Sequence, residues 1–219
     1  MKNIIIFGLE QFAMQMFHLL KQDSEVTIKG FCVDKKYLLE NHRGGYSVYA
    51  FEDLENYFTP DEHSILFCIG YTKMNQVRKE KMESARKRGY SIASYCHPTA
   101  LIQSQKIGYG NIFMEGVIIG QNTEIGNGNI FWPAAHVAHD THVGNYNFFT
   151  ISTAVAGNIV IHDFCMFGAN STIKNNIEIN DGTLVGAGAY ISHTTDAWSV
   201  YTPPRSYKLE GKNSLQFKL

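Results

Sequence analysis

The chain has 219 residues, enough for one large or two small domains, with 19 Lys and Arg against 20 Asp and Glu and a formal net charge of −1. There is no basic face and no aromatic–basic interleaving, which argues against a nucleic-acid partner, and no run of residues reads as a signal peptide or a membrane span. Cys32, Cys68, Cys96 and Cys165 are scattered without a Cys-x-x-Cys pair, so they read as reduced thiols and a cytoplasmic location is expected.

In chain order, Asn3 to Gly8 (NIIIFG) is a short apolar strand ending in Gly, followed by a helical stretch near Glu10 to Lys21. Thr27 to Asp34 reads as a second strand ending in an acid. Tyr46 to Ala50 is a third, with a helix near Phe51 to Tyr57. Ser64 to Gly70 is another strand, a long helix comes next from about Lys73 to Arg88, and Tyr90 to Cys96 closes the set. This alternation predicts a small Rossmann-like, doubly wound α/β domain with a parallel sheet over residues 1–97. His97-Pro98-Thr99-Ala100 is the joint to the second half of the chain.

Such domains bind ligands at the carboxyl ends of their strands. That selects Phe7, Gly8 and Leu9, then Asp34, then Ile69, Gly70 and Tyr71. A helix N-terminus after Gly8 can cradle a phosphate, and Asp34 can accept hydrogen bonds from a ribose or base. The first loop, Gly8-Leu9-Glu10-Gln11-Phe12-Ala13, lacks the second and third glycines of a dinucleotide fingerprint, and Glu10 opposes an anion. NAD is therefore not expected, whereas a sugar nucleotide fits.

From Leu101 to Ile191 every sixth residue is a sizeable aliphatic or Phe, among them Ile107, Phe113, Ile119, Val137, Val155 and Val185. A fixed short period is the signature of a solenoid, here a parallel β-helix over residues 98–200. Four residues after each anchor the side chain is mostly small, as at Thr123, Ala135 and Thr141, which suits a second inward position in a narrow prism. Three residues after the anchor Gly and Asn recur, as at Gly110, Asn122 and Asn158, where a corner with positive φ is expected. Lys106 and Lys174 are the only Lys or Arg between 101 and 196, whereas the tail over 201–219 brings Arg205, Lys208, Lys212 and Lys218. The pattern resembles the hexapeptide-repeat proteins. That resemblance implies a left-handed helix of triangular coils, three hexads and eighteen residues to a coil, with residues eighteen apart stacked about 4.8 Å apart along the axis.

The densest ionisable cluster is His136, His139, Asp140 and His142. His136 and His142 each precede an anchor and so point outward from flat faces, while His139 and Asp140 fall at a corner. A His with an acidic neighbour suits general-base work, because imidazole titrates near neutral pH and a carboxylate can orient it. Eighteen residues on from His139 stands Gly157, whose lack of a side chain lets a ligand approach its backbone N–H. Three histidines at this spacing can also suggest zinc, but their different faces argue against one site within a chain, and no metal is expected.

The order of α/β domain, hexapeptide β-helix and His139–Asp140 corner resembles the sialic acid O-acetyltransferase family of sugar acyltransferases, which includes nucleotide-sugar N-acetyltransferases. The resemblance covers nearly the whole chain and is most specific in VAHDTHVGNYNFF (137–149), AVAGN (154–158), FGANSTI (167–173), VGAGAYI (185–191) and SVYTPPRS (199–206). It implies an acetyl-CoA-dependent or other acyl-CoA-dependent transferase acting on a nucleotide-linked amino deoxysugar in bacterial surface-glycan (lipopolysaccharide O-antigen) biosynthesis. His139 would be the base, Asp140 its orienting acid, and Gly157 the amide that meets the thioester oxygen. The resemblance further implies a homotrimer in which the acyl-CoA runs along the β-helix between subunits, past Gly186, Ala187 and Gly188. Arg205 and Lys208 are expected at its phosphates, with Lys174 as a further contact and His136 lining the acceptor pocket. The nucleotide would lie in the α/β domain. Two departures stand out: only Gly8 survives of a Gly-x-x-Gly-x-Gly loop, and the tail reads Thr202-Pro203-Pro204-Arg205-Ser206 where the family has Gly-x-Pro-Ala-Lys. O-acylation of a sugar hydroxyl is the nearest alternative reaction, and a non-catalytic sugar-nucleotide-binding scaffold is the alternative of another class.

Overall fold

The structure, a computed structural model, describes residues 2–211, 213 and 215. The N-terminal half holds β1 (Lys2–Phe7), α1 (Gln11–Leu20), β2 (Val26–Val33), β3 (His42–Arg43), β4 (Tyr46–Ala50), β5 (Ser64–Phe67), α2 (Gln76–Lys87) and β6 (Ser91–Ile92). Its sheet runs β3-β4-β2-β1-β5-β6. The alternation of β1 sets the layers: Ile4 and Ile6 pack with Met16 and Phe17 of α1, while Ile5 and Phe7 pack with Met82 and Ala85 of α2 on the other face.

The expected parallel sheet is present as β4-β2-β1-β5-β6, with one antiparallel strand added at its edge. β3 runs antiparallel to β4 around Gly44 and Gly45, whose φ values of 56° and 85° make so tight a turn possible. The helix expected near Phe51 is a 3-10 helix over Phe51–Asn56. α2 starts at Gln76 rather than Lys73, because Lys73, Met74 and Asn75 all have positive φ, which a right-handed helix excludes. The segment read as one strand from Tyr90 to Cys96 is divided. Ser91–Ile92 pairs with β5, while Tyr95–Cys96 pairs with Ile112–Phe113 of the β-helix.

Two-residue strands then wind into a parallel β-helix with three flat faces. Face one carries Phe113, Phe131, Phe149 and Phe167, whose rings stack at 5.0, 4.5 and 4.6 Å. Face two carries Val137 against Val155, and face three Val143 against Ile161, each pair eighteen residues apart. Each buried anchor contributes roughly 1.5–3 kcal/mol. The second inward position is equally regular. The Oδ1 atoms of Asn111, Asn129 and Asn147 accept the backbone N–H eighteen residues on, at 2.8, 2.8 and 2.7 Å, so these amides are buried without an orphaned carbonyl oxygen.

The repeat starts later than its sequence suggests. Leu101 is 54% exposed and pairs with Ile118, while Ile102 pairs with the buried Ile119. The first coil is one residue shorter there, so the inward residue is Ile102 and the strict clock runs from Ile107, opposite Ile125.

From Gly110 to Gly188 every sixth residue has positive φ. The edge between faces one and two carries Gly116, Ala134, Ser152, Asn170 and Gly188. The edge between two and three carries Asn122, Asp140, Asn158 and Asn176, and that between three and one Gly110, Gly128, Tyr146, Phe164 and Gly182. The corners are thus not confined to Gly and Asn, although a left-handed conformation costs an ordinary residue roughly 1–2 kcal/mol.

The α/β domain covers the outside of face one. Ile112, Ile130 and Phe148 join the core beneath α1, and Tyr146 and Phe164 meet the α2 side. On faces two and three the outward residues include the exposed His136, Ala154, Thr172 and His142. The edge between these two faces is left open. Among the described residues no helix is long and apolar enough to cross a membrane.

Candidate active site

His139 and Asp140 form the turn between His136–Val137 of face two and His142–Val143 of face three. Asp140 takes the left-handed corner at φ 55°, where its short side chain is tolerated, and its N–H donates to the Gln121 carbonyl at 2.9 Å. His139 Nδ1 lies 2.7 Å from Asp140 Oδ2, and Asn122 Nδ2 donates to Asp140 Oδ1 at 3.1 Å. An ionised carboxylate only accepts, so Nδ1 carries the proton, and in the neutral ring Nε2 is the acceptor. These hydrogen bonds, His139 first and Asn122 second, hold the Asp140 carboxyl below the usual aspartate range.

The imidazole lies over Gly157. A Cβ added there would stand 2.8 Å from both Cε1 and Nε2 of His139, so any side chain at 157 would displace the imidazole. The Asn158 N–H donates to the His139 carbonyl at 3.0 Å and fixes the spacing of the two coils. The Gly157 N–H has no acceptor among the described residues. The corner therefore combines an oriented base, a bare backbone and a free amide, the elements of acyl transfer.

His136 and His139 line one cleft of about 430 Å³ with Ile118, Gly120 and Gln121. His142 stands on the other face, its Nδ1 3.6 Å from Glu124, which is itself paired with Lys106. Among the described residues no three His, Cys, Asp or Glu side chains are grouped to hold a metal ion.

The remaining candidates are distributed. Lys174 comes directly after Thr172–Ile173 of face two, on the same edge as His139 and Gly157, whereas Gly186 and Ala187 lie on the edge at the other side of face two. Arg205 and Lys208 belong to the exposed tail, with Lys208 3.6 Å from Glu210. Lys212 and Lys218 lie outside the described residues.

In the α/β domain, Gly8, Leu9, Ile69 and Gly70 do share a cleft, of about 760 Å³. Three of their expected companions are elsewhere. Phe7 is buried in the core. Asp34 is buried and paired with Lys81 of α2 at 2.6 Å, away from the cleft wall. Tyr71 stands outside the cleft lining, with its ring edge-on to Phe148 at 5.5 Å.

Two residues were not singled out by sequence. Arg43 lines the cleft, donating to the Leu9 carbonyl at 2.9 Å and lying 3.1 Å from Glu40. Its only signal is its place before the Gly44-Gly45 turn. Asn122 is legible in principle, since it stands eighteen residues before Asp140.

The architecture is an α/β domain on one face of a hexapeptide β-helix, with the His139–Asp140 corner on the opposite edge. Residues 158–193 match the bacterial transferase hexapeptide (six repeats) family. A comparison with curated protein sequences gives no match. Among solved structures, PerB from Caulobacter crescentus, in complex with CoA and GDP-perosamine, is 22% identical with a TM-score of 0.79, covering 91% of this chain and 93% of that one. The acetyltransferase domain of PglB from Neisseria gonorrhoeae FA1090 is 20% identical with a TM-score of 0.78, covering 91% and 96%. Its complex with acetyl coenzyme A matches at 20% identity and 0.72, covering 87% and 92%. Over 91% of its length the chain shares the fold of PerB and of the PglB acetyltransferase domain.

Proposed function

We propose that the chain is an acetyl-CoA-dependent N-acyltransferase whose acceptor is the amino group of a nucleotide-linked amino sugar. The observation that carries this reading is the His139 ring, held at Nδ1 by Asp140 and lying over Gly157. As the amine nitrogen attacks the thioester carbonyl, His139 Nε2 accepts its proton and Asp140 stabilises the imidazolium. The Gly157 N–H donates to the carbonyl oxygen as it gains negative charge. When the carbon–sulfur bond breaks, His139 returns the proton to the departing thiolate, leaving an amide and the CoA thiol. The α/β cleft, with Arg43 and the Gly8 loop, would take the nucleotide.

The α/β domain sits on face one and its cleft is lined by Gly8, Leu9 and Gly70, whereas His139 lines a separate cleft on the edge between the other two faces. A donor and acceptor that meet at His139 therefore need a second subunit, which supports a homotrimer. The test is a panel of UDP-, dTDP- and GDP-linked amino sugars with acetyl-CoA, monitoring free thiol. Release with at least one amino sugar, and none with its hydroxy counterpart, is expected. No release across the panel would contradict the reading, and release with the hydroxy sugar alone would move the acceptor to oxygen. A mass measurement in solution should give a trimer; an active monomer would contradict the shared site.

A further inference from the structure

Arg78 of α2 is one of the most deeply buried side chains of the protein, at 1% exposure. Its hydrogen-bond partners are all neutral oxygens. Nε donates to the Gly128 carbonyl at 2.9 Å and Nη2 to that of Asn147 at 3.1 Å, both on the β-helix. Nη1 donates to the carbonyls of Ile69 (3.1 Å) and Gly70 (2.8 Å) and to Asn75 Oδ1 (3.1 Å). Burial lowers its pKa to about 9, so the group stays cationic at neutral pH. A buried cation without a carboxylate is an expensive way to fasten two domains that already share apolar cores.

The place it fastens is specific. Ile69 and Gly70 are walls of the α/β cleft. The chain leaves them through Lys73, Met74 and Asn75, three successive left-handed residues at φ 49°, 49° and 65°. Such a run persists only if its surroundings hold it. Asn75, fully buried, supplies the hold: its Nδ2 donates to the β-helix carbonyls of Cys165 at 3.2 Å and Phe164 at 3.4 Å, while its Oδ1 receives Arg78. The guanidinium fork reaches both domains at once, and a lysine ammonium has no planar fork with which to do so.

We infer that Arg78 and Asn75 are positioning residues for the acceptor: they fix the Ile69–Gly70 wall of the nucleotide cleft against the β-helix, so that the cleft keeps its shape relative to the solenoid. The inference rests on the acceptor reading above, and it distinguishes acceptor binding from donor binding, which the clamp does not touch.

The test uses the full chain, wild type and the variants Arg78→Lys and Asn75→Asp. The latter keeps an acceptor for Arg78 but turns an oxygen toward the Phe164 and Cys165 carbonyls. Titration calorimetry with UDP, dTDP, GDP and CoA is expected to show the bound nucleotide weakened at least tenfold in both variants and CoA changed less than twofold. Amide exchange over residues 69–72 should quicken in both, while that over 139–158 stays put. Nucleotide affinity unchanged in both variants, or nucleotide and CoA lost in parallel, would overturn the inference. A wild type that binds none of the three nucleotides would instead overturn the acceptor assignment itself, and with it this role for Arg78. Should Arg78→Lys fail to fold, Asn75→Asp decides.

Discussion

Two edges of the same prism obey one backbone rule and use it differently. Between faces three and one the left-handed corners include Gly128, Tyr146 and Phe164; between two and three they include Asn122, Asp140 and Asn158. On the first edge, large side chains sit where only Gly is conformationally free. The strain of roughly 1–2 kcal/mol each is offset by packing: Tyr146 is buried and stacks on Phe164 at 5.8 Å, which stacks on Trp198 at 6.2 Å. On the second edge, short polar side chains tolerate the conformation and remain in water, hydrogen-bonded along the ladder, Asn122 to Asp140 and Asn158 to Asn176. The α/β domain leaves this second edge uncovered, and there the repeat has placed His139.

The largest effect expected from this contrast is at His139. His139→Ala should lower turnover by roughly 10²–10⁴ with the thermal transition unmoved; wild-type steady-state kinetics would remove the base assignment. At the covered edge the effect should fall on stability instead. Tyr146→Ala is expected to cost about 3 kcal/mol in urea unfolding, while Tyr146→Gly, free of the left-handed penalty, should be no worse despite its smaller side chain. Asp140→Asn should cost turnover roughly tenfold to a hundredfold, below the ~10⁴ of a buried triad aspartate, because Asp140 is half exposed.

The smallest expected effect is a pH shift. Asp140 titrates below the ordinary aspartate value of about 3.9 because His139 and Asn122 donate to it. Its ionised form is therefore in place above that value and is lost as pH falls through the lowered pKa. Asn122→Ala removes a donor and raises the Asp140 pKa, which a carboxyl-carbon NMR titration reads directly, with less than a tenfold loss of turnover at the optimum. An unmoved Asp140 titration would exclude Asn122 as its partner.

The β-helix was legible because one short period dictates both the inward anchors and the corners, and the same period brought Gly157 to His139. It misled at Leu101, where the chain enters from the α/β domain and the first coil is set by that entry rather than by the repeat. In the α/β half, local signals named the main strands and both helices, but not what lies between them. Three left-handed residues before α2 have no propensity signature apart from Asn75. Arg78, in the charged sequence QVRKEKMESARK, looks like one more solvated residue, since only the docking of α2 onto the solenoid buries it. Asp34 is a parallel case: its position at a strand end was plain, but its partner Lys81 lies 47 residues on.

The contrast between the edges is tested most directly by one substitution made twice. In Gly157→Ala the new methyl meets only the exposed imidazole of His139; in Gly128→Ala it meets the buried ring of Tyr146 at 2.6 Å from a backbone at φ 65°. Turnover per folded molecule should fall about 10²-fold in Gly157→Ala, the scale of a base displaced by an ångström, with an unchanged urea midpoint. Gly128→Ala should lose stability and keep turnover at saturating acceptor within threefold, any effect through the Arg78 contact falling on acceptor affinity. Equal losses of turnover at both sites, or wild-type turnover in Gly157→Ala, would contradict the account.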